Sequence, residues 1–208
     1  MPTARSGLRE RKKEATHRLL REAALRLALE RGVDNVRVDD IAEAAGVSAR
    51  TYNNYFSSRE QAIVAAITAE RETRVAAALA ATPASVRLSE AVIDAIVEQY
   101  TSPGDNDRVG LLLRTSRYPL HDAYVRATTD IERPIAGAMV RRIGDDKRQT
   151  AEVLSAAVAG AVRVGLERWL QPAGHRHDHG LVVVSGNLPD VLRAALAPLA
   201  PAIDAAEQ

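Results

Sequence analysis

The chain has 208 residues, a net charge of +1, 46% hydrophobic residues, 3% aromatic residues and no cysteine. The lack of cysteine excludes disulfides, thiolate metal sites and a cysteine nucleophile. No apolar run approaches the roughly 20 residues that cross a bilayer, so we expect a cytoplasmic protein with no membrane partner. Alanine supplies much of the apolar content, which favours closely packed helices.

Positive charge is concentrated at the N-terminus. The first 26 residues carry eight basic and three acidic residues, a net charge of +5. Residues 9–31, which overlap this segment, have the apolar spacing of one amphipathic helix, which Gly32 ends. A solvated helix face would account for such a segment taken alone, but a DNA-binding surface needs the same clustering of charge.

A pair of short helices follows. Residues 38–45 form the first, with Asp39 and Asp40 in its first turn, where carboxylates favour the positive end of the helix dipole. Gly46 can take a left-handed turn, and Ser48 is the predicted N-cap of a helix over residues 49–56. This arrangement predicts a helix-turn-helix, whose second helix enters the DNA major groove, although many helical hairpins share the spacing.

The remaining chain is predicted to be helical. A connecting helix capped by Ser58 runs to about Ala80 and carries the joint between two domains. Further helices are expected over about residues 89–100, 107–117, 121–143, 147–170 and 188–205, with breaks at Pro119 and residues 172–180 among others. The predicted fold class is all-α with about nine helices: an N-terminal three-helix DNA-binding domain (residues 1–57) and a larger C-terminal helical domain (residues 58–208), to which the resemblance described below assigns ligand binding and dimerisation.

The helix-turn-helix segment resembles a known family. The run from Val38 to Ser48, with Thr51-Tyr52, Tyr55-Phe56 and Ser58-Arg59-Glu60, closely resembles the DNA-binding domain of the TetR/AcrR family of regulators, over about residues 9–70. Arg37 stands where that family usually has threonine, and Arg59 replaces the commoner lysine. The resemblance implies a homodimer that binds operator double-stranded DNA and a small-molecule effector, with repression as the usual outcome.

The DNA contacts follow from side-chain chemistry. Arg50, Asn53 and Asn54 are the predicted base contacts, since arginine can bridge O6 and N7 of guanine and asparagine N6 and N7 of adenine. Phosphate contacts fix register without reading sequence, and we assign to them Arg37, Ser48, Thr51, Tyr55, Arg59, Arg9, Lys12 and Lys13. Core packing is preferred for Tyr52 and Phe56, while core and phosphate roles both remain open for Tyr55.

The resemblance also implies dimerisation through the last two long helices, which form a four-helix bundle with the partner. The predicted interface comprises Val153, Ala157, Ala161 and Val164 on one helix, and Leu192, Ala195, Leu196 and Leu199 on the other. Small residues, Gly160 among them, permit close approach. Such a seam could equally be core within one chain.

An effector pocket among the middle helices is a further implication. Its candidate residues are Val97, Tyr100, Leu112, Arg114, Tyr118, Tyr124, Ile131, Met139 and Trp169, although ordinary core packing explains most of them equally well. Arg114 and Arg117 could hold a carboxylate or phosphate beside an apolar cavity. Residues 111–142 and 163–170 resemble a subgroup with acyl-CoA-like ligands, which implies a small hydrophobic or acyl-type effector.

Other chemistries find little support. The alternating histidines of His175-Arg176-His177-Asp178-His179 could ligate a metal, but the flanking Gly174 and Gly180 indicate a loop, and no carboxylate or cysteine cluster accompanies them. We therefore predict no metal and no cofactor. Because the chain has no phosphate loop, serine elbow or zinc-protease motif, we predict that it is not an enzyme. The helix-turn-helix and the family resemblance predict instead a DNA-binding transcriptional regulator. The alternative is a helical interaction protein without sequence-specific DNA binding.

Overall fold

The computed structural model describes residues 4–69, 71–101, 105–116, 118–170 and 187–208. Every regular element in these ranges is a helix, which confirms the all-α prediction. The helices are α1 (Ala4–Arg31), α2 (Val38–Ala44), α3 (Ala49–Asn53), α4 (Arg59–Ile67), α5 (Arg71–Ala81), α6 (Leu88–Thr101), α7 (Asp105–Thr115), α8 (Tyr118–Arg126), α9 (Glu132–Ile143), α10 (Arg148–Leu170), α11 (Leu188–Leu196) and α12 (Ala200–Ala206). None of these described helices is long and apolar enough to cross a membrane.

The chain divides into two compact units. Unit 1 comprises Met1–Ala69 and Asp107–Tyr124, and unit 2 comprises Glu70–Asn106 and Val125–Gln208. In this division α4 belongs with the N-terminal helices, whereas the sequence prediction put residues 58 onward in the second domain.

Unit 1 is organised around α1 and α4, which pack against each other. Its core includes Leu20 and Leu27 of α1, Ile41 of α2, Tyr52 of α3 and Ile63 of α4, all fully or almost fully buried. The apolar spacing seen in the sequence therefore turns one face of each helix inward. Residues 11–14 of α1 precede this core and are exposed.

The predicted connecting helix from Ser58 to about Ala80 is wrong, because the helix is interrupted. α4 ends at Ile67, and α5 begins at Arg71. The Thr68 hydroxyl donates to the Val64 carbonyl oxygen over 3.0 Å. Such back-bonding weakens and often bends a helix, which gives a local reason for the interruption.

Two other predicted helices are also divided. A 3₁₀ turn at Ala127–Ile131 separates α8 from α9, and the hydroxyls of Thr128 and Thr129 donate to the carbonyls of Val125 and Arg126 there. A 3₁₀ turn at Ala197–Leu199 separates α11 from α12. Pro119, predicted to break a helix, lies instead in the first turn of α8, where its missing N–H leaves no helical hydrogen bond unmade.

Unit 2 is built on α10, which packs against α9 and α11, and on α6, which packs against α5, α11 and α12. Its fully buried residues include Ile96, Ile135, Met139, Leu166 and Leu192. Gly165 lies where α10 approaches α11: a Cβ at this position would be 3.3 Å from Leu192 Cδ2 and 3.4 Å from Ala195 Cβ. The glycine therefore allows these helices to approach closely.

The N-terminus of α6 is capped by side chains from the end of the chain. Glu207 Oε2 accepts from the Leu88 backbone N–H, and Asp204 Oδ1 accepts from the Ser89 N–H, each over 3.0 Å. Hydrogen bonds from Ser89, assisted by the charge of Arg87, hold the pKa of Asp204 below its ordinary value despite some burial. We call Asp204 and Glu207 the C-terminal cap.

Two cations hold the C-terminal cap in place. Arg142 Nε donates to Glu207 Oε1 over 2.6 Å, and the same guanidinium donates to the Val86 carbonyl. The Arg142 side chain is only 12% exposed, so this ion pair is largely shielded from water. Lys147 Nζ donates to the Ala206 carbonyl over 3.0 Å. The C-terminal residues therefore help to fix the start of α6.

Candidate DNA-binding site

The turn between α2 and α3 has a defined hydrogen-bonded geometry. The N–H of Val47 donates to Ala42 O and that of Gly46 to Glu43 O, both over 2.9 Å. These are the two bonds of a Schellman motif, and they place Gly46 in the left-handed region at φ 69°. Residues with a side chain rarely adopt this backbone conformation, which explains why glycine occupies the position.

Capping bonds then fix both helices of the pair. Ser48 Oγ accepts from the Thr51 N–H over 3.1 Å, which confirms Ser48 as the N-cap of α3. Asp40 Oδ2 accepts from the Arg37 N–H over 2.9 Å, so a carboxylate in the first turn of α2 holds the residue that precedes this helix. The backbone direction of α3 is thus set by bonds within a few residues of it.

The predicted base-contact residues share an exposed surface. Arg50, Asn53 and Asn54 are all exposed, and their spacing puts them on one face of a short helix. α3 itself spans only Ala49–Asn53, with Asn54 as its C-cap, so the prediction of a helix to Phe56 was too long. The exposed face presents one forked cation and two amides.

Tyr52 anchors the opposite face of α3. Its side chain is fully buried, and its hydroxyl donates to the Ser58 carbonyl over 2.7 Å. Burial, followed by the negative charge of Glu60, raises the pKa of Tyr52 to about 12. Phe56 is buried as well, with its ring centroid 5.8 Å from that of Tyr52. The core interpretation of both aromatic residues is therefore confirmed.

Arg59, predicted to contact a phosphate, binds partners within the protein. Its Nη1 donates to the carbonyls of Val36 (2.9 Å) and Asp34 (3.3 Å), and its Nε donates to Glu60 Oε1 over 2.8 Å. Burial alone would raise the pKa of Glu60, but the hydrogen bond and charge of Arg59 lower it. Arg59 ties the start of α4 to the loop before α2, so its donors are directed into the protein and not toward a phosphate.

The other predicted phosphate contacts lie at or near the surface. Arg37 and Ser48 are exposed, whereas Thr51 and Tyr55 are half-buried. The Ser48 and Thr51 hydroxyls are 3.0 Å apart and bonded to each other. Arg9, Lys12 and Lys13 are exposed on the first half of α1.

A groove beside α1 was not found from the sequence. It has a volume of about 470 Å³ and is lined by Arg11, Lys13, Glu14, Ala15, His17, Arg18, Arg21 and Tyr55. We call it the basic groove, because four cations line it against one carboxylate. The net charge of +5 in the sequence indicated this region, but no spacing in the sequence showed that His17, Arg18 and Arg21 line one groove.

His17 connects the basic groove to the core of unit 1. Its ring centroid lies 4.7 Å from that of Phe56 and 6.1 Å from that of Tyr55. Burial, followed by the charges of Arg21 and Lys13, lowers its pKa. The surroundings of His17 therefore favour its neutral form.

The predicted dimer residues do not share one environment. On α10, Val153 is 63% and Val164 52% exposed, while Ala157 and Ala161 between them are half-buried. Leu192 and Leu196 of α11 are buried inside unit 2 against neighbouring helices, which corrects their assignment to a subunit surface. Ala195 and Leu199 are half-buried. The exposed stripe is therefore on α10.

The effector-pocket candidates are dispersed. Val97, Tyr100, Ile131 and Met139 are buried in unit 2, where Trp169 is half-buried. Leu112 and Tyr124 are buried in unit 1. The side chains of Arg114, Arg117 and Tyr118 lie outside the described residues.

Unit 2 also contains a buried cation that the sequence did not reveal. The Arg71 guanidinium lies 4.1 Å from the centroid of the Tyr100 ring, and Arg71 is 4% exposed. A cation over a tyrosine ring is attracted by the negative face of that ring.

The histidine run from His175 to His179 lies outside the described residues. Among the residues that are described, no group of three or more histidine, aspartate or glutamate side chains could hold a metal ion.

The capped turn, the buried Tyr52 and the exposed face of α3 together form a helix-turn-helix. Residues 20–66 match the family model for bacterial regulatory proteins of the tetR family. The chain is 39% identical over 71 residues to the HTH-type transcriptional regulator TcmR of Streptomyces glaucescens, a match covering 34% of this chain and 31% of TcmR. Residues 20–66 of the chain are therefore similar to the DNA-binding segment of tetR-family regulators.

Two solved structures align with most of the chain. The crystal structure of RolR in complex with resorcinol has a TM-score of 0.45 and 21% identity, with 96% of each chain covered. That of NalD, the secondary repressor of the MexAB-OprM multidrug efflux pump in Pseudomonas aeruginosa, has a TM-score of 0.43 and 17% identity, with 91% of this chain and 95% of NalD covered. At such low TM-scores neither structure assigns a function to this chain.

Proposed function

We propose that the protein is a ligand-responsive transcriptional repressor that binds a pseudo-palindromic operator as a homodimer. The observation that carries this proposal is the exposed face of Arg50, Asn53 and Asn54 on a helix held by Ser48 and Tyr52. Such a helix can enter the major groove and present donors and acceptors to base edges. The match of residues 20–66 to the tetR family model supports the same function.

The proposed contacts divide into reading and positioning. Arg50 reads guanine, and Asn53 and Asn54 read adenine, through bidentate hydrogen bonds. The positioning contacts to phosphates are Arg37, Ser48, Thr51 and Tyr55 with the basic residues of α1. Arg59 supports them indirectly by holding the loop before α2.

Dimerisation is proposed to use the exposed stripe of α10. Val153, Ala157, Gly160, Ala161 and Val164 follow one another at helical spacing on a single face. Two exposed valines with small residues between them suit a close helix-to-helix contact between two copies of the chain. A two-fold dimer would place its recognition helices about 34–36 Å apart to read successive major grooves.

The effector is proposed to be a small hydrophobic or acyl-type molecule bound among the helices of unit 2. Its binding would favour a dimer with altered spacing between the recognition helices and so reduce operator affinity. The buried side chains of Val97, Tyr100 and Met139 supply an apolar environment for such a molecule.

The test is selection of bound sequences from a random duplex pool, followed by titration of the selected duplex across a salt series. We expect a palindromic site whose log affinity falls about 0.9 per neutralised phosphate for each unit of log salt. Arg50→Ala with Asn53→Ala should abolish sequence preference while leaving weak binding. Glu43→Ala, an exposed change on α2, is the control.

If no sequence is enriched and the wild type binds DNA no better than the double variant, the repressor proposal fails. That result would favour the alternative of a helical interaction protein.

The dimer is tested by sedimentation. Val153→Asp should shift the protein from dimer to monomer and weaken operator binding. Leu111→Asp is the matched control, because Leu111 is also 63% exposed but lies outside α10. Retention of the dimer in Val153→Asp would contradict the α10 seam.

A further inference from the structure

The basic groove has a composition that the recognition helix does not explain. Arg11, Lys13, Arg18 and Arg21 line it from α1, and Tyr55 closes it from the segment after α3. A concave site with four cations and one carboxylate attracts an anion. Tyr55 is next to Asn54, so the groove lies close in sequence to the residues that are proposed to read bases.

His17 gives the groove an imidazole, which can gain a proton and a positive charge. The imidazole lines the groove and packs beside Phe56, so burial opposes its charged form. Arg21 and Lys13 act in the same direction, and together these effects lower the pKa of His17.

Building on the proposed DNA-binding function, we propose that the basic groove holds a backbone phosphate of the operator and that His17 takes up a proton when this phosphate enters. The phosphate charge would offset Lys13 and Arg21, the two cations that oppose protonation. The imidazolium so formed could donate a charge-assisted hydrogen bond to a phosphate oxygen. DNA binding would therefore be coupled to proton uptake.

The charged groups around His17 are consistent with this coupling. On α1 they are Arg11, Lys13, Glu14, Arg18 and Arg21, and the segment after α3 contributes the Tyr55 phenol. α4 also packs against α1, but its Arg59 and Glu60 bond to each other, and Arg59 also bonds to the loop before α2. The Arg21 and Lys13 charges are the ones that act on the His17 ring.

The sign of the pH dependence follows from linkage. The bound state holds the His17 proton more tightly than the free state, so affinity is highest at low pH and falls as pH rises. The decrease lies between the pKa values of the free and bound forms, and it is at most about tenfold per pH unit for each protomer. Outside that window His17 contributes no slope.

The first test measures operator affinity from pH 5.5 to 8.5 at constant salt. We expect wild-type affinity to fall with rising pH and His17→Gln to remove that slope. His121→Gln is the histidine control in unit 1 and should keep it. A wild-type slope retained in His17→Gln overturns the proposal. As a check independent of the variant, NMR titration of His17 in the wild type should show a higher pKa with operator than without, and an unchanged pKa overturns the proposal.

The second test compares two matched arginines of α1. Arg18 pairs with Glu22 at 3.9 Å and Arg26 with Glu30 at 3.5 Å, both four residues apart and about equally exposed. Only Arg18 lines the groove. Arg18→Gln should reduce the log–log salt slope by about 0.9 per protomer, while Arg26→Gln should leave it unchanged. Equal slopes in the two variants overturn the assignment of the groove.

A third comparison identifies the source of the phosphate. Inorganic phosphate at millimolar concentration should leave the His17 resonance nearly unmoved, whereas the operator duplex shifts it. An equal shift with both would make the groove a site for a small anion and overturn its assignment to DNA. If the wild type binds no selected duplex at any pH, the proposed function itself fails. Operator binding with identical pH profiles in wild type and His17→Gln overturns the groove proposal alone.

Discussion

Helix α3 of unit 1 and helix α6 of unit 2 are capped in different ways. In unit 1, Ser48 caps with Thr51, Ser58 with Gln61 and Asp40 with Arg37, each pair three residues apart. In unit 2, the start of α6 is capped by Glu207 and Asp204, which are 119 and 115 residues distant from their partners. Helix α3 is therefore oriented largely by its own neighbours in sequence, whereas the start of α6 depends on residues 204–207.

The largest effect should follow removal of the Tyr52 side chain, which holds α3 by its burial and not by capping the helix. Tyr52→Ala deletes a fully buried ring and the bond to the Ser58 carbonyl. We expect a loss of about 3–5 kcal/mol in the free energy of unfolding, by analogy with other large aromatic truncations. Tyr52→Phe should cost about 1 kcal/mol, since only the hydrogen bond is lost.

Urea unfolding followed by circular dichroism measures both Tyr52 variants. Tyr55→Ala, a change of the half-buried neighbour, is the control and should cost much less. Equal losses at Tyr52 and Tyr55 would show that local capping, without the anchor, holds α3.

The distant cap of unit 2 is tested by Glu207→Gln. This change removes the charge that pairs with the shielded Arg142 and should lower stability by about 1.5–3 kcal/mol, as for hydrogen bonds to charged groups. Hydrogen exchange should quicken at the amides of Leu88 and Ser89. Glu167→Gln is the matched control: its bond to Arg163 is similarly short at 2.7 Å, but both side chains are more than 40% exposed.

Exposed pairs contribute only about 0–1 kcal/mol, so Glu167→Gln should be nearly neutral. Equal effects of the two glutamate substitutions would mean that the distant cap is no more than a surface contact.

A glycine pair extends the comparison to the backbone. Gly46→Ala should destabilise unit 1 by about 1–2 kcal/mol, because alanine is strained at φ 69°. Gly160→Ala should instead stabilise the subunit by up to about 1 kcal/mol, since it lies inside α10 and a Cβ there meets no atom within 4 Å. Thermal unfolding measures both changes.

Dimer affinity distinguishes Gly160 from a second helical glycine. If α10 forms the seam, Gly160→Ala should weaken the dimer, because the added methyl group meets the partner helix. Gly137→Ala in α9, whose Cβ would have only an ordinary contact at 3.9 Å, should stabilise the subunit without affecting the dimer. Identical dimer affinities in these two variants would argue against the seam.

The smallest effects concern pH, and they should have opposite signs in the two units. Tyr52 has a pKa of about 12 in the folded protein, above its unfolded value, so its stabilisation of unit 1 is lost as pH rises from about 10 to 12. Asp204 has a lowered pKa, so its stabilisation of unit 2 is lost as pH falls below the ordinary range of aspartate.

Hydrogen exchange at α3 in alkali and at the start of α6 in acid measures the two pH effects. Tyr52→Phe and Asp204→Asn should each remove the matching one. Loss of protection at both places in the same pH direction would contradict the difference between the units.

The same distinction explains what could be predicted. The caps at Ser48 and Ser58 and the left-handed Gly46 were found from the sequence because each signal lies within a few residues of its effect. Arg59 was assigned to a phosphate because its carbonyl partners depend on how α4 packs beside residues 34–36. Leu192 and Leu196 have an apolar pattern that fits a subunit interface and an interior equally, and only their burial in unit 2 decides between them.

Helix interruptions were missed for a related reason. Threonines such as Thr68 and Thr128 tolerate helical backbone, and their back-bonding depends on a rotamer that no periodic pattern shows. His17 was overlooked because one histidine among basic residues has no distinctive spacing. It gains a role only where α1 passes Tyr55 and Phe56.

The C-terminal cap also bears on how the protein can be handled in the laboratory. Ends of chains are commonly chosen for affinity tags, reporter fusions and trimming, on the assumption that they are dispensable. Deleting residues 204–208 would remove little mass, but it would also remove the two carboxylates that cap the first turn of α6, more than a hundred positions earlier in the sequence. A version shortened by these residues that gives a poor yield should therefore first be compared with one that keeps both carboxylates.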